Sequence, residues 1–172
     1  MGENLKKLNS APQEIAEASF LDCCGARVWA RQMTDARPFA DENDLLRRAA
    51  DIWRSLDEKD WLEAFAAHPK IGSRRAAPSQ KARAAEWSRG EQAGAESADD
   101  EILDELAAVN RLYEEKFGYI FIVCATGKTA AEMLKMCRAR LGNDHGAEIK
   151  NAAGEQQKIT EIRLKKLLGA EI

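Results

Sequence analysis

The sequence has little that would indicate a membrane, nucleic-acid or metal-binding protein. The longest apolar run, YIFIVCA at 119–125, is much shorter than the roughly 20 residues that a membrane-spanning helix needs. No dense basic block occurs, and the net charge is −3, so nucleic-acid binding is not indicated. Four cysteines have neither zinc-binding spacing nor an arrangement that favours disulfides: Cys23, Cys24, Cys124 and Cys137. We therefore expect a cytoplasmic protein with reduced thiols, no metal, no nucleic-acid partner and no membrane segment.

Helical patterns cover most of the 172 residues, a length that suits one domain with a core of its own. Candidate capping boxes occur at Ser10 with Gln13 and at Thr129 with Glu132. Further predicted helices begin near Asp41, near Asp57 or Asp60 (ending at His68), within the alanine-rich stretch after residue 80, near Ser97 and Asp100 (ending before Gly118), and near Glu148 (ending at Leu168). The sequence predicts an all-α, compact single-domain multi-helix fold over residues 1–172.

One segment departs from this pattern. The run YIFIVCATG is rich in β-branched and aromatic residues and predicts an extended segment near 119–125. No second run could pair with it as a strand, so its backbone N–H and C=O groups need other partners. A bound ligand is one candidate, and burial against neighbouring helices and water is the other.

His68 is one of only two histidines, and it stands at the end of the predicted helix in WLEAFAAHPKIG. Pro69 disfavours the helical conformation at the residue before it and should end the helix there. Imidazole is the side chain best suited to general acid–base chemistry near neutral pH. A histidine at a helix carboxyl end can also act as an inert cap that interacts with the helix dipole. The local sequence leaves both interpretations open.

The motif SRGEQ contains a second candidate group. If this stretch is helical, Ser88, Glu91 and Gln92 share one face, at positions i, i+3 and i+4. A hydroxyl, a carboxylate and a carboxamide together suit a small, polar, nitrogen-rich substrate. The alternative is a solvated polar face, and Gly90 weakens the expectation of an unbroken helix.

Arg163 lies between Ile159 and Leu167 at helical spacing, so its stem should follow an apolar stripe. An arginine in such a position needs a partner, and a bound anion or polar ligand is one possibility. An internal carboxylate such as Glu91 is the other.

Two further features favour no chemistry. His145, within GNDHGAE, is expected to be an exposed loop residue. The stretch ATGKT at 125–129 lacks the upstream glycine of a phosphate-binding loop, so Thr129 is better explained as a helix cap and ATP binding is not expected.

Four segments, in this order, resemble one known family: FAAHPKIG, SRGEQAGA, KFGYIFIVCATGKT and EIRLKKL. They resemble the OHCU decarboxylases, the 2-oxo-4-hydroxy-4-carboxy-5-ureidoimidazoline decarboxylases of uric acid degradation, and the similarity spans nearly the whole chain. The resemblance implies an all-helical homodimer that needs no cofactor. It also implies a carbon–carbon lyase that converts this substrate to (S)-allantoin and CO2, the last step from urate to allantoin.

The resemblance also assigns site residues. It implies that His68 is catalytic, with Glu91 close to it. Substrate-binding residues follow by the same resemblance: Pro69, Ser88, Gln92 and Arg163, together with the main chain of Phe121, Ile122, Val123, Cys124 and Ala125.

Two other functions are compatible with the fold that the resemblance implies. One is a helical binding or scaffold module without turnover, and the presence of both His68 and Glu91 favours the enzyme over it. The other is an enzyme of the same fold that acts on a different ureido or imidazoline compound. The residues that line the pocket would decide which compound is the substrate.

Overall fold

The structure of the protein, a computed structural model, describes residues 2–71, 82–93 and 100–170. Within these ranges nine α-helices are defined and no β-strand occurs, which confirms the predicted all-α class. The helices are α1 (Glu3–Ser10), α2 (Gln13–Cys24), α3 (Arg27–Asp35), α4 (Glu42–Ser55), α5 (Glu58–Ala66), α6 (Ala82–Glu91), α7 (Asp100–Phe117), α8 (Ala130–Arg140) and α9 (His145–Leu167). None of the helices defined there combines the length and the apolar character that crossing a membrane requires.

The chain divides into two compact units. The first comprises Met1–Ala64 with Gln157–Ile172, and it therefore holds α1–α4, most of α5 and the carboxyl-terminal part of α9. Its core contains the fully buried Trp29, whose indole Nε1 donates to the carbonyl of Ala49 at 3.1 Å. This hydrogen bond ties α3 to α4 and satisfies the one polar atom of a large buried ring.

The second unit, Phe65–Gln156, holds α6–α8 and the amino-terminal part of α9. Its core includes an aromatic cluster centred on Tyr113 of α7, whose ring lies 4.6 Å from that of Phe117 and 5.3 Å from that of Phe121, centroid to centroid. Phe121 belongs to the predicted extended segment, so the cluster fixes that segment against α7.

Two predicted helix starts are confirmed by side-chain caps. Asp41 accepts from the backbone N–H of Asp44 at 2.8 Å, and Thr129 with Glu132 forms a reciprocal capping box. Thr129 therefore acts as a helix cap, as the sequence predicted. Gly118, with φ +80°, follows the last residue of α7 in the left-handed conformation that glycine adopts without strain.

The capping box predicted at Ser10 is wrong. Ser10 is the last residue of α1, a helix that the sequence analysis missed along with α3, and its hydroxyl donates to the carbonyl of Lys6 at 3.0 Å. Pro12, and not a serine, occupies the cap position of α2. A serine near a helix end can bond either forward to an amide or backward to a carbonyl, and here the backward bond forms.

Two other boundaries differ from the prediction. The helix expected to end at His68 ends at Ala66, because the His68 N–H donates to the Phe65 carbonyl in a turn before Pro69. His145 is exposed, as expected, but it begins α9 and does not lie in a loop. The side chain of Asp144 accepts from the Ala147 N–H at 2.8 Å and so caps this helix earlier than predicted.

Candidate active site

The segment predicted to be extended is neither helix nor strand, and residues 121–125 are all buried. Because a buried backbone must satisfy its polar groups, the partners of this segment define its role. Arg140 Nη1 donates to the carbonyl of Ile122 at 2.8 Å. The N–H of Cys124 donates to Glu155 Oε2 at 2.8 Å, and its carbonyl accepts from Lys128 Nζ at 2.7 Å.

We call Lys128, Arg140 and Glu155 the charged clamp. These side chains hold the main chain of the segment with charge-assisted hydrogen bonds, which are about twice as strong as neutral ones. Within the described ranges, no hydrogen bond reaches the backbone of Phe121 or Val123. The clamp thus fixes part of the segment while N–H and C=O groups of these two residues can serve a small polar ligand.

Arg140 is itself held by a buried ion pair. Its guanidinium lies 2.5 Å from Glu148 Oε1, and the Glu148 side chain is fully buried. Burial alone would raise the pKa of this carboxyl, but hydrogen bonds from Arg140, Tyr113 and Asn143 hold it below its usual range. Burial, together with the hydrogen bond to Glu148, raises the pKa of Tyr113 well above its ordinary value. Glu148 therefore remains an anion that orients Arg140 towards the segment.

His68 lies in the second unit, two residues after the end of α5, and is partly buried together with Pro69. Its Nε2 is 2.7 Å from Oε1 of Gln156, a fully buried residue of α9. A carboxamide oxygen can only accept a hydrogen bond, so Nε2 is the donor in this contact in the tautomer that carries a proton on that atom. The ring is thus bound by another helix and does not merely cap α5.

The SRGEQ motif forms the end of α6, and the helix is not interrupted at Gly90. Ser88 and Glu91 are buried, with 3% and 8% of their surface exposed, and Gln92 is half-buried. Its N–H donates to the Ser88 carbonyl at 3.1 Å, which continues the helical path. The alternative of a solvated polar face is therefore wrong for Ser88 and Glu91.

The second unit contains three of the predicted parts of the site: the extended segment, Glu91 and His68. Burial raises the pKa of the Cys124 thiol; Lys128 opposes this shift, and the negative charges of Glu155 and Glu91 add to it. Glu91 therefore lies close enough to the segment to act on it electrostatically. Since Glu155 binds the segment and Gln156 binds His68, two consecutive residues of α9 connect the segment to the histidine.

Arg163 lies in the first unit and is 3% exposed, as its apolar flanks predicted. It neighbours the thiol of Cys24, whose pKa is raised to about 12, chiefly by burial. Hydrogen bonds with Ala26 and Thr160 and the positive charge of Arg163 oppose that increase.

Comparison with known proteins agrees with the sequence resemblance. The family model described as OHCU decarboxylase matches residues 9–165. The chain belongs to the OHCU decarboxylase family. A curated OHCU decarboxylase from Amia calva is 32% identical over 176 residues, covering 96% of this chain and 94% of that protein.

A solved structure described as OHCU decarboxylase in the presence of (S)-allantoin is 39% identical, with a TM-score of 0.77. The match covers 93% of this chain and all of that one. The uric acid degradation bifunctional protein TTL of Arabidopsis thaliana is 43% identical over 156 residues, which cover 90% of this chain. This chain spans only 48% of that protein, and 32% and 25% of two Bacillus bifunctional relatives.

Sequence reasoning missed the members of this site that act on other residues, namely Gln156 and the charged clamp. For Gln156 the sequence did contain one signal, its spacing. Glu148, Ala152 and Gln156 recur every four residues in α9, so they lie on one face of the helix, and all three are buried. Two polar residues therefore occupy positions on the buried face of this helix. Among the described residues, no group of three or more His, Cys, Asp or Glu side chains is arranged to hold a metal ion.

Proposed function

We propose that this chain decarboxylates 2-oxo-4-hydroxy-4-carboxy-5-ureidoimidazoline to (S)-allantoin and CO2, as a carbon–carbon lyase. The observation that carries the proposal is the 39% identical solved structure, described as an OHCU decarboxylase in the presence of (S)-allantoin and covering 93% of this chain. The family model over residues 9–165 supports the same reaction, and it also supports treating residues 1–172 as one catalytic domain.

The proposed chemistry needs no cofactor. The carboxylate of the substrate is attached to a ring carbon next to a C=N bond, and this bond accepts the electron pair released as CO2 leaves. The protein must orient the carboxylate, exclude water and deliver a proton to one face of the resulting enol-like intermediate. His68 is the proposed proton donor, and oriented proton transfer of this kind contributes roughly 10²- to 10⁴-fold in rate.

Glu91 is the proposed second catalytic residue. Its carboxylate is 8% exposed and acts on the same segment as the charged clamp. A buried negative charge near the reacting groups stabilises an imidazolium, and this favours proton delivery.

We assign substrate binding to polar groups that could form hydrogen bonds with the ureido group and the ring of the substrate. Ser88 and Gln92 would supply a hydroxyl and a carboxamide from α6, and Arg163 would supply a forked cation. Main-chain groups of residues 121–125 would bind the substrate from the segment that the clamp holds, with Pro69 lining the same pocket. The partial satisfaction of this backbone by Lys128, Arg140 and Glu155 supports that role.

The assembly and location are part of the same proposal. We expect a homodimer in the cytoplasm. The four cysteines, all within the described ranges, are buried and form no disulfide, which suits a reducing compartment.

The function is tested by generating the substrate from urate with urate oxidase and the hydrolase that follows it. The product is then monitored by circular dichroism with and without this protein. We expect rapid appearance of single-handed allantoin only when the protein is present. Slow, racemic product at the rate of the protein-free reaction would overturn the proposal.

A further inference from the structure

Two charged side chains hold the backbone on either side of Val123. Arg140 Nη1 donates to the carbonyl of Ile122 at 2.8 Å. The N–H of Cys124 donates to Glu155 Oε2, also at 2.8 Å. We infer that Arg140 and Glu155 are positioning residues that turn the N–H and C=O of Val123 towards the ligand, which binds them through an N–H next to a C=O. This inference rests on the proposed function and identifies the atoms through which the segment binds.

The direction of the Val123 groups follows from the planar peptide unit. In a trans peptide the C=O and the N–H point in opposite directions. Among the described residues the cis peptide bond is the one between Arg37 and Pro38, so both peptide units that flank Val123 are trans. The N–H of Val123 therefore points away from Arg140, and its C=O points away from Glu155.

Both positioning residues act on the segment from the side of α9. Glu155 belongs to this helix, and the guanidinium of Arg140 lies 2.5 Å from the carboxylate of Glu148. Glu148 and Glu155 occupy positions i and i+7, which share one face of a helix. The two hydrogen bonds to the segment therefore come from the same side, and the N–H and C=O of Val123 face the other side.

These two groups of Val123 are buried and need partners. Val123 is 5% exposed, and within the described ranges no hydrogen bond reaches its N–H or its C=O. A buried peptide group without a partner is costly, so a ligand that satisfies both groups is favoured. An amide or urea carries an N–H next to a C=O and can accept from one group while it donates to the other. The ureido group of the proposed substrate, and of allantoin, is of this kind.

Isotopic labelling of valine tests the inference on the whole protein. The chain has three valines, and Val28 and Val109 lie within α3 and α7. We label the nitrogen and the carbonyl carbon of valine and assign the NMR signals with Val28→Ile and Val109→Ile. Saturating (S)-allantoin should slow hydrogen exchange at the Val123 amide by at least about tenfold and shift its carbonyl signal, with smaller changes at Val109.

The outcomes separate this inference from the proposed function. Unchanged Val123 signals in protein that binds (S)-allantoin would overturn the inference even if turnover is normal. Equal slowing at Val109 and Val123 would show general stabilisation by the ligand and would overturn it too. Absence of both turnover and allantoin binding would contradict the proposed function, and the inference with it.

A conservative variant separates positioning from packing. Arg140→Lys keeps a cation beside Glu148 but lacks the planar fork that binds Glu148 and the Ile122 carbonyl at once. We expect about a tenfold weaker affinity for (S)-allantoin and a higher KM, with a smaller change in kcat. The slowing of exchange at Val123 should also be lost, measured well below the thermal midpoint.

The matched control lies on the same helix. Arg138→Lys changes an exposed pair with Glu105 and should leave allantoin affinity and exchange at Val123 unchanged. Wild-type affinity and wild-type exchange in folded Arg140→Lys would overturn the positioning role. If that variant does not fold, the valine signals of the wild type decide the inference.

Discussion

The backbone N–H of Cys124 donates to the carboxylate of Glu155 at 2.8 Å. This bond connects a segment without regular structure to a long helix, and the partners are 31 residues apart in sequence. The sequence raised the question of which groups bind the backbone N–H and C=O of the extended segment, since no second strand can pair with it. This bond gives part of the answer, because a charged side chain binds a backbone group that a neighbouring strand would otherwise bind.

The first prediction concerns this bond. Glu155→Ala removes a charge-assisted hydrogen bond worth about 1.5–3 kcal/mol, so the segment should lose its fixed position. We expect about a tenfold increase in KM and in the dissociation constant for (S)-allantoin, with a smaller change in kcat. Steady-state kinetics and titration calorimetry measure both quantities.

A matched control exists on the same helix. Glu161→Ala removes a surface carboxylate that pairs with Lys165, and its effect should stay within about 0.5 kcal/mol. Equal losses of allantoin affinity in Glu155→Ala and Glu161→Ala would show that the clamp does not position a binding segment.

The second prediction concerns His68. His68→Asn removes the proposed proton donor, and we expect kcat to fall by roughly 10²- to 10⁴-fold. The fold should be retained with a lower thermal midpoint, because the buried Gln156 loses its contact with the ring, so kcat is compared well below that midpoint. His145→Asn, at the exposed start of α9, is the matched control and should retain wild-type turnover. Near-normal activity of His68→Asn would remove this residue from the mechanism.

The third prediction concerns Arg163, a buried arginine whose replacement by alanine would also leave a cavity. Arg163→Lys keeps the stem and the charge but loses the planar fork that can bind two acceptors at once. We expect about a tenfold weaker affinity for (S)-allantoin, measured by calorimetry, with the fold retained. An unchanged dissociation constant would argue against a bidentate contact between Arg163 and the ligand.

How far the sequence could predict this structure is clear from its helix ends. The caps at Asp41 and Thr129 were predictable because both partners of each hydrogen bond lie within three residues. Ser10 shows the limit of that reasoning, since the same residue type can bond forward or backward.

The site was predictable only in part. The burial of Arg163 agrees with its apolar flanks, whereas the shared face of Ser88 and Glu91 could equally have been solvated and is in fact buried. Gln156 could not be assigned to His68, because 88 residues separate them and only tertiary packing brings them together. The sequence indicates a long-range polar pair of this kind only by a polar residue at a position where the helical spacing predicts a buried one.

The fourth prediction concerns stability at acid pH. The pKa of Glu148 is held below its ordinary value of 4.5, so the native state binds fewer protons than the unfolded state as the pH falls towards that value. The stabilisation that ionised Glu148 contributes is therefore complete above the pKa that this residue has in the unfolded chain. It is lost as the pH falls through the lower pKa that Glu148 has in the folded protein. Glu148→Gln should lower the free energy of unfolding at pH 7 by about 3–5 kcal/mol, since it leaves the buried Arg140 without its anion.

The difference between the wild type and Glu148→Gln should become smaller as the pH decreases, which denaturant unfolding at several pH values measures. Glu105→Gln is the control, because its pair with Arg138 is about half exposed and should contribute at most about 1 kcal/mol. If the difference in the free energy of unfolding between the wild type and Glu148→Gln does not change with pH, Glu148 is not the ionised group that we assign.

The fifth prediction concerns Gly90, which lies within α6 between Ser88 and Glu91. A β-carbon placed on Gly90 meets no described atom within 4 Å, and glycine inside a helix costs about 1 kcal/mol relative to alanine. Gly90→Ala should therefore raise the thermal midpoint by about 2–4 °C and leave kcat unchanged. Gly118→Ala provides the contrast, because φ +80° strains any other residue and the midpoint should fall. A Gly90→Ala variant that folds stably but turns over slowly would show that the motif needs backbone freedom at this position, beyond the helical face that Ser88 and Glu91 share.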